Sequence, residues 1–296
     1  MIGGFFIALT GFCCLVIMAF VAVILGNIAW HGWPVLSLHF LFSAPEQGMT
    51  AGGIFPAIFG TLFLVILMTM AVIPLGVATA IYLHEYAPAR SRLVQAVRLA
   101  IQNLAGVPAI VFGLFGLGFF VNFVGQGMDR LFFRGELVWG EPAILWAALT
   151  MALLTLPTVV VATEEALRAI PAAYREVAYS LGATRLQMIR KIVLPQAVGG
   201  ILTGGILAIS RGAGEVAPIL FTGAAYYLPY LPKKLNDQFM EMGYHIYVMA
   251  TQSPDVEATK PILYATVFVL LVVTFALNST AIWIRSRIRR KLRLAR

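Results

Sequence analysis

Six apolar runs divide the chain, at about residues 5–29, 54–83, 99–124, 142–162, 196–221 and 258–284. A helix needs about 20 apolar residues to cross the hydrocarbon core of a bilayer, and each run reaches that length. Open sheets cannot span lipid because their edge amides stay unpaired, and the short alternating segments of a membrane barrel are absent. The pattern therefore predicts an all-α polytopic membrane protein with six transmembrane helices.

The fourth and fifth runs are separated by a polar, two-part stretch. It ends in EVAYSLGATRLQMIRKIVLP, residues 176–195. Pro171 suits the first turn of a helix. Tyr174, Val177, Ala178 and Leu181 then follow at i, i+3, i+4 and i+7, which makes one apolar face. Gly182 suits the position just after a helix, where the chain takes positive φ, and Thr184 suits an N-cap. Beyond it Leu186, Ile189 and Val193 share a face, and Pro195 stands at the entry to the fifth run. The expected form is a short helix, a glycine turn and a second short helix. Two readings stay open on pattern alone: an amphipathic hairpin resting on lipid heads, or a knob that inserts into a soluble partner.

Composition agrees with the membrane class. Hydrophobic residues make up 60% and charged residues 11%, with mean hydropathy +0.88, whereas soluble domains carry about a quarter charged residues. Fifteen of the 21 basic residues fall in three places: 84–98, 163–195 and the tail from Arg285 to Arg296. The positive-inside rule then puts both termini and the 176–195 stretch in the cytoplasm. The net charge of +8 reads as this topology signal and as contact with anionic lipid heads. No aromatic-basic groove accompanies it, which argues against nucleic acid. The first run is too long for a signal peptide, has no charged n-region and is followed by no small-residue cleavage site before Trp30, so a retained helix is expected.

Several chemistries drop out. The chain has no Gly-Lys pair and hence no phosphate-binding loop of the nucleotide-hydrolase type. Cys13 and Cys14 are adjacent inside the first run and read as apolar filler. His84-Glu85 lacks the second histidine of a zinc protease helix, and the four histidines read as scattered interfacial or loop side chains. Asn278-Ser279-Thr280 matches a glycosylation pattern inside a predicted span, where it cannot be used. No catalytic residue, metal site or cofactor site of the chain's own is expected.

Two charges inside the fifth run do call for a role. Arg211 and Glu215 are four residues apart, on one face of a helix, and charges in a span are costly unless paired or facing a cavity. Gly200, Gly204 and Ala208 fall on the same face, either for close helix packing or as open space beside the charges. Gly106 and Pro108 are expected to break or kink the third span, and Pro157 the fourth. The residues 222–259, rich in tyrosine, read either as an interfacial aromatic belt or as a docking face.

The spacing Glu176-Val177-Ala178, Gly182, Ile192, Leu194-Pro195 resembles the cytoplasmic loop of ABC importer permeases, with Val177 where the family pattern has alanine. Ser210-Arg211-Gly212-Ala213-Gly214-Glu215-Val216-Ala217-Pro218 and Asn103-Leu104-Ala105-Gly106-Val107-Pro108-Ala109-Ile110-Val111-Phe112-Gly113 are similar to motifs of phosphate-specific permeases. Leu83-His84-Glu85-Tyr86 and the stretch His245 to Thr251 fit best with their PstA-type subunit. Val216 stands where that family has threonine. The resemblance covers about Gly52 to the end of the sixth span.

It implies a type I importer (MetI-like) permease in the bacterial inner membrane. Residues 1–50 would form an N-terminal helix and loop. Residues 51–285 would form a five-helix core carrying the coupling segment 164–195, and 286–296 a basic cytoplasmic tail. Glu176, Ala178, Gly182, Leu181, Tyr174, Ile192, Leu194 and Pro195 would couple to a separate ATPase, and Ser210, Arg211 and Glu215 would line the substrate path. ATP and magnesium would be bound by a PstB-like ATPase dimer. The other partners implied are a PstC-like permease chain and a PstS-like phosphate-binding protein. The sister phosphate subunit and a permease for phosphonate, molybdate or sulfate are the near alternatives. A scaffold or channel without an ATPase is the distant one.

Overall fold

The computed structural model describes residues 2–88, 90–253 and 255–294. The tail position Arg296 lies outside the described residues, as do the side chains of Lys291 and Arg293. Among the described residues, twelve α-helices and one small hairpin follow in order. These are α1 (Ile2–Gly32), α2 (Leu38–Phe42), β1 (Pro45–Glu46), β2 (Ala51–Gly52), α3 (Phe55–Ile81), α4 (Arg92–Leu104), α5 (Ala109–Gly116), α6 (Gln126–Phe132), α7 (Ile144–Arg168), α8 (Ala172–Ser180), α9 (Arg185–Met188), α10 (Leu194–Gly212), α11 (Met242–Thr251) and α12 (Val256–Leu294). Wider π turns extend α3 over Tyr82–Tyr86, bridge α5 to α6 over Leu117–Gly125 and bridge α9 to α10 over Ile189–Val193. The strands pair antiparallel, Pro45 opposite Gly52.

Among the described residues six helical stretches are long and apolar enough to cross a membrane, Gly3–Val35, Phe55–Tyr86, Ala109–Phe132, Ile144–Arg168, Arg185–Gly212 and Val256–Arg290. Four of the six match the runs read from sequence in place and extent, allowing a few residues at each end. The third begins ten residues later than expected. The Gly106–Val107–Pro108 step breaks the helix, and residues 99–104 belong to α4, a separate amphipathic helix whose Val94 packs under Ala80, Leu83 and Val160. Proline cannot donate an amide and disfavours helical backbone before it.

The fifth span is displaced toward the N-terminus. It starts at Arg185 and ends at Gly212, so α9, the π turn and α10 form one continuous helix. Pro195 has no amide hydrogen, and the widened turn just before it lets the helix pass. Residues 213–225 are turns rather than helix. They lie in the protein core, with Ala213 and Ile219 buried, and their backbone is paired across the fold by Ala143 N–H to Thr222 O and Ala225 N–H to Phe239 O. Irregular backbone at membrane depth is tolerated only under such cover. α12 runs on without a break into the basic tail.

α7 is the hub. Leu64, Met68 and Val72 of α3 meet Ala147, Met151 and Leu154 of α7, with Phe112 of α5 and Ala208 of α10 closing the same core. Glycines permit the approach: a side chain at Gly76 would strike Val159, and one at Gly200 or Gly204 would strike Ala166 or Ala162. The stripe Gly200-Gly204-Ala208 is therefore filled by α7 and leaves no open space. α7 continues through Pro157, which is buried. α1 is exposed along most of its length, Cys13 and Cys14 included, and touches α12 near its end, where His31 lies on the Tyr264 ring at 5.1 Å.

Candidate functional site

The segment around residues 171–195 folds as its sequence prescribes. α8 starts one residue after Pro171, Gly182 takes φ +78, and Thr184 caps α9 in a reciprocal box with Gln187. The apolar faces then divide. Ala178, Met188, Ile189 and Val193 turn inward and pack with Leu167, Ile170 and Ala197. Tyr174, Val177, Leu181 and Leu186 turn outward, and Leu181 is 82% exposed. Glu176 is exposed beside them. Ile192, Leu194 and Pro195 are half-buried where the helix enters the core; they anchor the hairpin and stand apart from its outer face. A basic cytoplasmic surface thus carries an apolar knob on a packed base.

At the other end of the fifth span, Arg211 sits in the last turn of α10, a favourable place for a cation. Glu215 lies past the helix end, in the turn segment. The two are therefore not partners on one helical face. The chain leaves the helix between two glycines, Gly212 and Gly214, and brings the carboxylate back to 3.6 Å from Arg211 Nε. Both side chains are about one-third exposed, at 36% and 29%. Ser210 is not part of the pair. Its hydroxyl lies 2.6 Å from Asn278 Oδ1, tying α10 to α12.

The two motifs that resemble phosphate permeases meet here. A side chain at Gly113 would strike the carbonyls of Ala217 and Pro218. Val216 packs on Gly243 at the start of α11, so the residue that replaces threonine serves as an apolar contact. One turn before Arg211, Leu207 borders a groove of about 360 Å³ that also touches Gln102, Thr158 and Glu165.

Three further groups escaped the sequence reading. Glu85 and Glu164 are buried carboxylates at the cytoplasmic ends of α3 and α7. Arg175 lies 2.7 Å from Glu85 and Arg98 lies 3.2 Å from Glu164. Their signal is in the sequence: a carboxylate at the end of an apolar run needs a partner, and arginines that mark the topology lie nearby. The third group is on the opposite side. Glu241 caps α11 by accepting from Tyr244 N–H at 2.7 Å, and Thr61 of α3 lies 3.3 Å from its Oε1. Burial pushes the Glu241 carboxyl up to about 6. His245, one turn on, is buried rather than interfacial, and burial lowers it to about 4.

Fold and surfaces of this kind define a membrane-spanning importer subunit, and the chain belongs to the family of binding-protein-dependent transport system inner membrane components, whose model matches residues 72–294. It is a multi-pass protein of the inner membrane. It is 30% identical over 296 residues to the probable ABC transporter permease protein YqgI of Bacillus subtilis, covering 95% of this chain and 94% of that one. It is 33% identical over 239 residues to the probable phosphate transport system permease protein PstA of Methanocaldococcus jannaschii, covering 78% of each. In fold it is similar to a chain of a bacterial alginate ABC transporter (TM-score 0.66, 16% identity, 94% of each chain). It is also similar to a chain of the MetNI methionine ABC transporter (TM-score 0.58, 15% identity, 78% of this chain and 94% of that one).

Proposed function

We propose that the chain is the transmembrane permease subunit of an ATP-driven inorganic phosphate importer. The exposed apolar knob of Tyr174, Val177, Leu181 and Leu186 carries the coupling half of this reading. A surface of that kind on the basic side of a membrane protein is unstable in water unless a partner covers it. A separate ATPase pair is the partner that a chain without a phosphate-binding loop requires. The cargo half is supported by the PstA relatives and by Arg211. Its guanidinium makes one long contact to Glu215 and no other ion pair among the described residues. The planar fork suits an oxyanion, and Glu215 neutralises it while the path is empty.

A second, homologous permease chain would close the path against the Arg211 side. On the outer face, a cleft of about 440 Å³ is lined by Glu141, Tyr230, Lys233, Asn236 and Asp237 among others, and it would receive a phosphate-binding protein.

The test is reconstitution in proteoliposomes with candidate ATPase, sister permease and binding protein. ATP-dependent uptake of labelled phosphate is expected, with excess sulfate, molybdate and phosphonate leaving it unchanged. Uptake that one of those anions suppresses in preference to unlabelled phosphate would reassign the cargo. Uptake without any ATPase would overturn the coupling.

A further inference from the structure

The hairpin of α8 and α9 is joined by the chain to α7 on one side and α10 on the other. Its attachment to α3 is different in kind, because Arg175 and Glu85 are 90 residues apart in sequence. Arg175, on α8, donates from Nη2 to Glu85 Oε1 at 2.7 Å and from Nε to the same carboxylate at 3.2 and 3.4 Å. It also donates to the carbonyls of Leu167, in the last turn of α7, at 3.1 Å and of Ile170, just beyond it, at 3.0 Å. One guanidinium thus holds the end of α3, the end of α7 and the hairpin. Arg185, the first residue of α9, also donates to the backbone carbonyl of Glu85 and lies over the Tyr86 ring at 4.9 Å. Both helices of the hairpin therefore grip Glu85, Arg175 through its carboxylate and Arg185 through its backbone carbonyl.

This grip contrasts with the rest of the hairpin base. Apolar packing between Ala178, Met188, Ile189 and the core is non-directional, and such contacts can slide. A buried, two-point arginine fork is directional, and breaking it leaves an uncompensated charge in the protein. Glu85 is only 6% exposed, so water cannot easily take the arginine's place. Force applied to the outer face of α8 would pass to α7 and α10 through the chain, and it reaches the cytoplasmic end of α3 directly through this fork and the apolar contact of Ile81. α3 shares the central core with α7 and α10.

We propose that Glu85 and Arg175 form a transmission latch that makes α3 move with the coupling hairpin. Both are positioning residues, with no contact to cargo. The proposal rests on the hairpin being the ATPase-docking element.

The experiment uses the full complex in proteoliposomes and reads three quantities: ATPase subunits bound per permease, complex recovered, and ATP hydrolysed per phosphate imported. Glu85→Gln and Arg175→Lys are expected to keep the ATPase at wild-type stoichiometry while ATP consumed per phosphate rises about tenfold, the size of a typical coupling energy between sites. The paired reversal Glu85→Arg with Arg175→Glu is expected to recover coupling relative to either reversal alone. An unchanged ATP-to-phosphate ratio in assembled complex, even at reduced yield, overturns the latch and leaves a structural ion pair. If Glu85→Gln prevents assembly, Arg175→Lys and the paired reversal decide on the same ratio. Leu181→Asp reports separately on docking. If it leaves the ATPase bound and uptake intact, the docking reading fails. If it releases the ATPase while Arg175→Lys keeps a wild-type ratio, the latch alone fails.

Discussion

The two ends of α3 are held in opposite ways. At the cytoplasmic end, buried Glu85 is paired with Arg175 of α8, and Arg98, which pairs with buried Glu164 of α7, donates to Leu83 O. At the outer end, Thr61 holds Glu241 through a hydroxyl. No opposite charge is paired with Glu241 among the described residues, and His245 beside it is buried with Nδ1 unpartnered. Between them Arg211 and Glu215 make a single contact, each side chain about one-third exposed. The difference teaches where the molecule needs stiffness and where it needs exchange. On the proposed function, the driven end is the one pinned by directional ion pairs that a knob outside it can pull on. On the same proposal, the cargo end keeps its charge loosely paired, and its other titratable groups, Glu241 and His245, are buried without an ion pair among the described residues.

The largest effect expected is on the driven end. Placing Val177→Asp together with Leu186→Asp on the outer face puts two carboxylates where an apolar pocket must close. Buried anchors of this kind account for most of the energy of an interface. ATPase affinity is expected to fall at least about a hundredfold, or roughly 3 kcal/mol, in a titration of ATPase against permease. Full retention of the ATPase would remove the distinction between the two ends, because the knob would then face only lipid or water.

The next effect tests how the ends bury charge. Above pH 6.5 His245 is neutral in both folded and unfolded chain, and its contribution to stability is complete. As pH falls toward 4, only the unfolded chain takes up the proton, and stability is lost. Glu241 runs the other way. Its burial penalty is complete above about pH 6 and vanishes below about 4.5, so stability rises as pH falls. In the wild type the two slopes oppose each other. His245→Gln should leave a protein that gains up to about 2 kcal/mol between pH 6 and 4.5, and Glu241→Gln one that loses up to about 3 kcal/mol between pH 6.5 and 4. Thermal unfolding midpoints of the solubilised complex across that range check the signs. Parallel slopes in the two variants would show that burial does not shift the titration of these groups in opposite directions.

A smaller change is expected at the cargo end. Arg211→Ala should lower phosphate uptake about tenfold with assembly intact, and Arg211→Lys less, since a lysine keeps charge and loses the fork. Uptake that is unchanged in fully assembled complex would take Arg211 out of the path. A loss of assembly in step with uptake would make the pair with Glu215 a structural tie like that of Glu85, and the contrast between the ends would weaken.

Much of this was legible in the chain because membrane solvent imposes simple rules. The six spans follow from run length, the orientation from arginine placement, and the hairpin from Pro171, Gly182 and Thr184, each of which acts within a few residues of itself. What failed to show was long-range. The helix end at Gly212 is invisible in an apolar run that continues to Phe221, because residues 213–225 are apolar for burial under α7 and not for a span. Arg175 could be counted, but its partner lies 90 residues away and no periodicity connects them. Glu215 was placed on the right partner for the wrong reason: helical spacing suggested it, whereas a turn brings it there.

The smallest effect isolates the turn that joins the two helices of the driven end. Gly182 has φ +78 and open space around the position a side chain would take. In the permease alone, Gly182→Ala should therefore cost only the left-handed backbone, about 1 kcal/mol, and Gly182→Asn less. That loss can be read as a lowered unfolding midpoint of the isolated subunit. In the complex the same substitution has a second meaning, because the open space beside Gly182 adjoins Leu181 on the outer face. If docking closes over it, alanine should weaken ATPase binding by more than the roughly fivefold that 1 kcal/mol allows. Equal losses in subunit and complex would place Gly182 outside the interface, as a turn residue that shapes the knob without being covered. A larger loss in the complex would extend the docking face across the turn, from Leu181 toward Leu186.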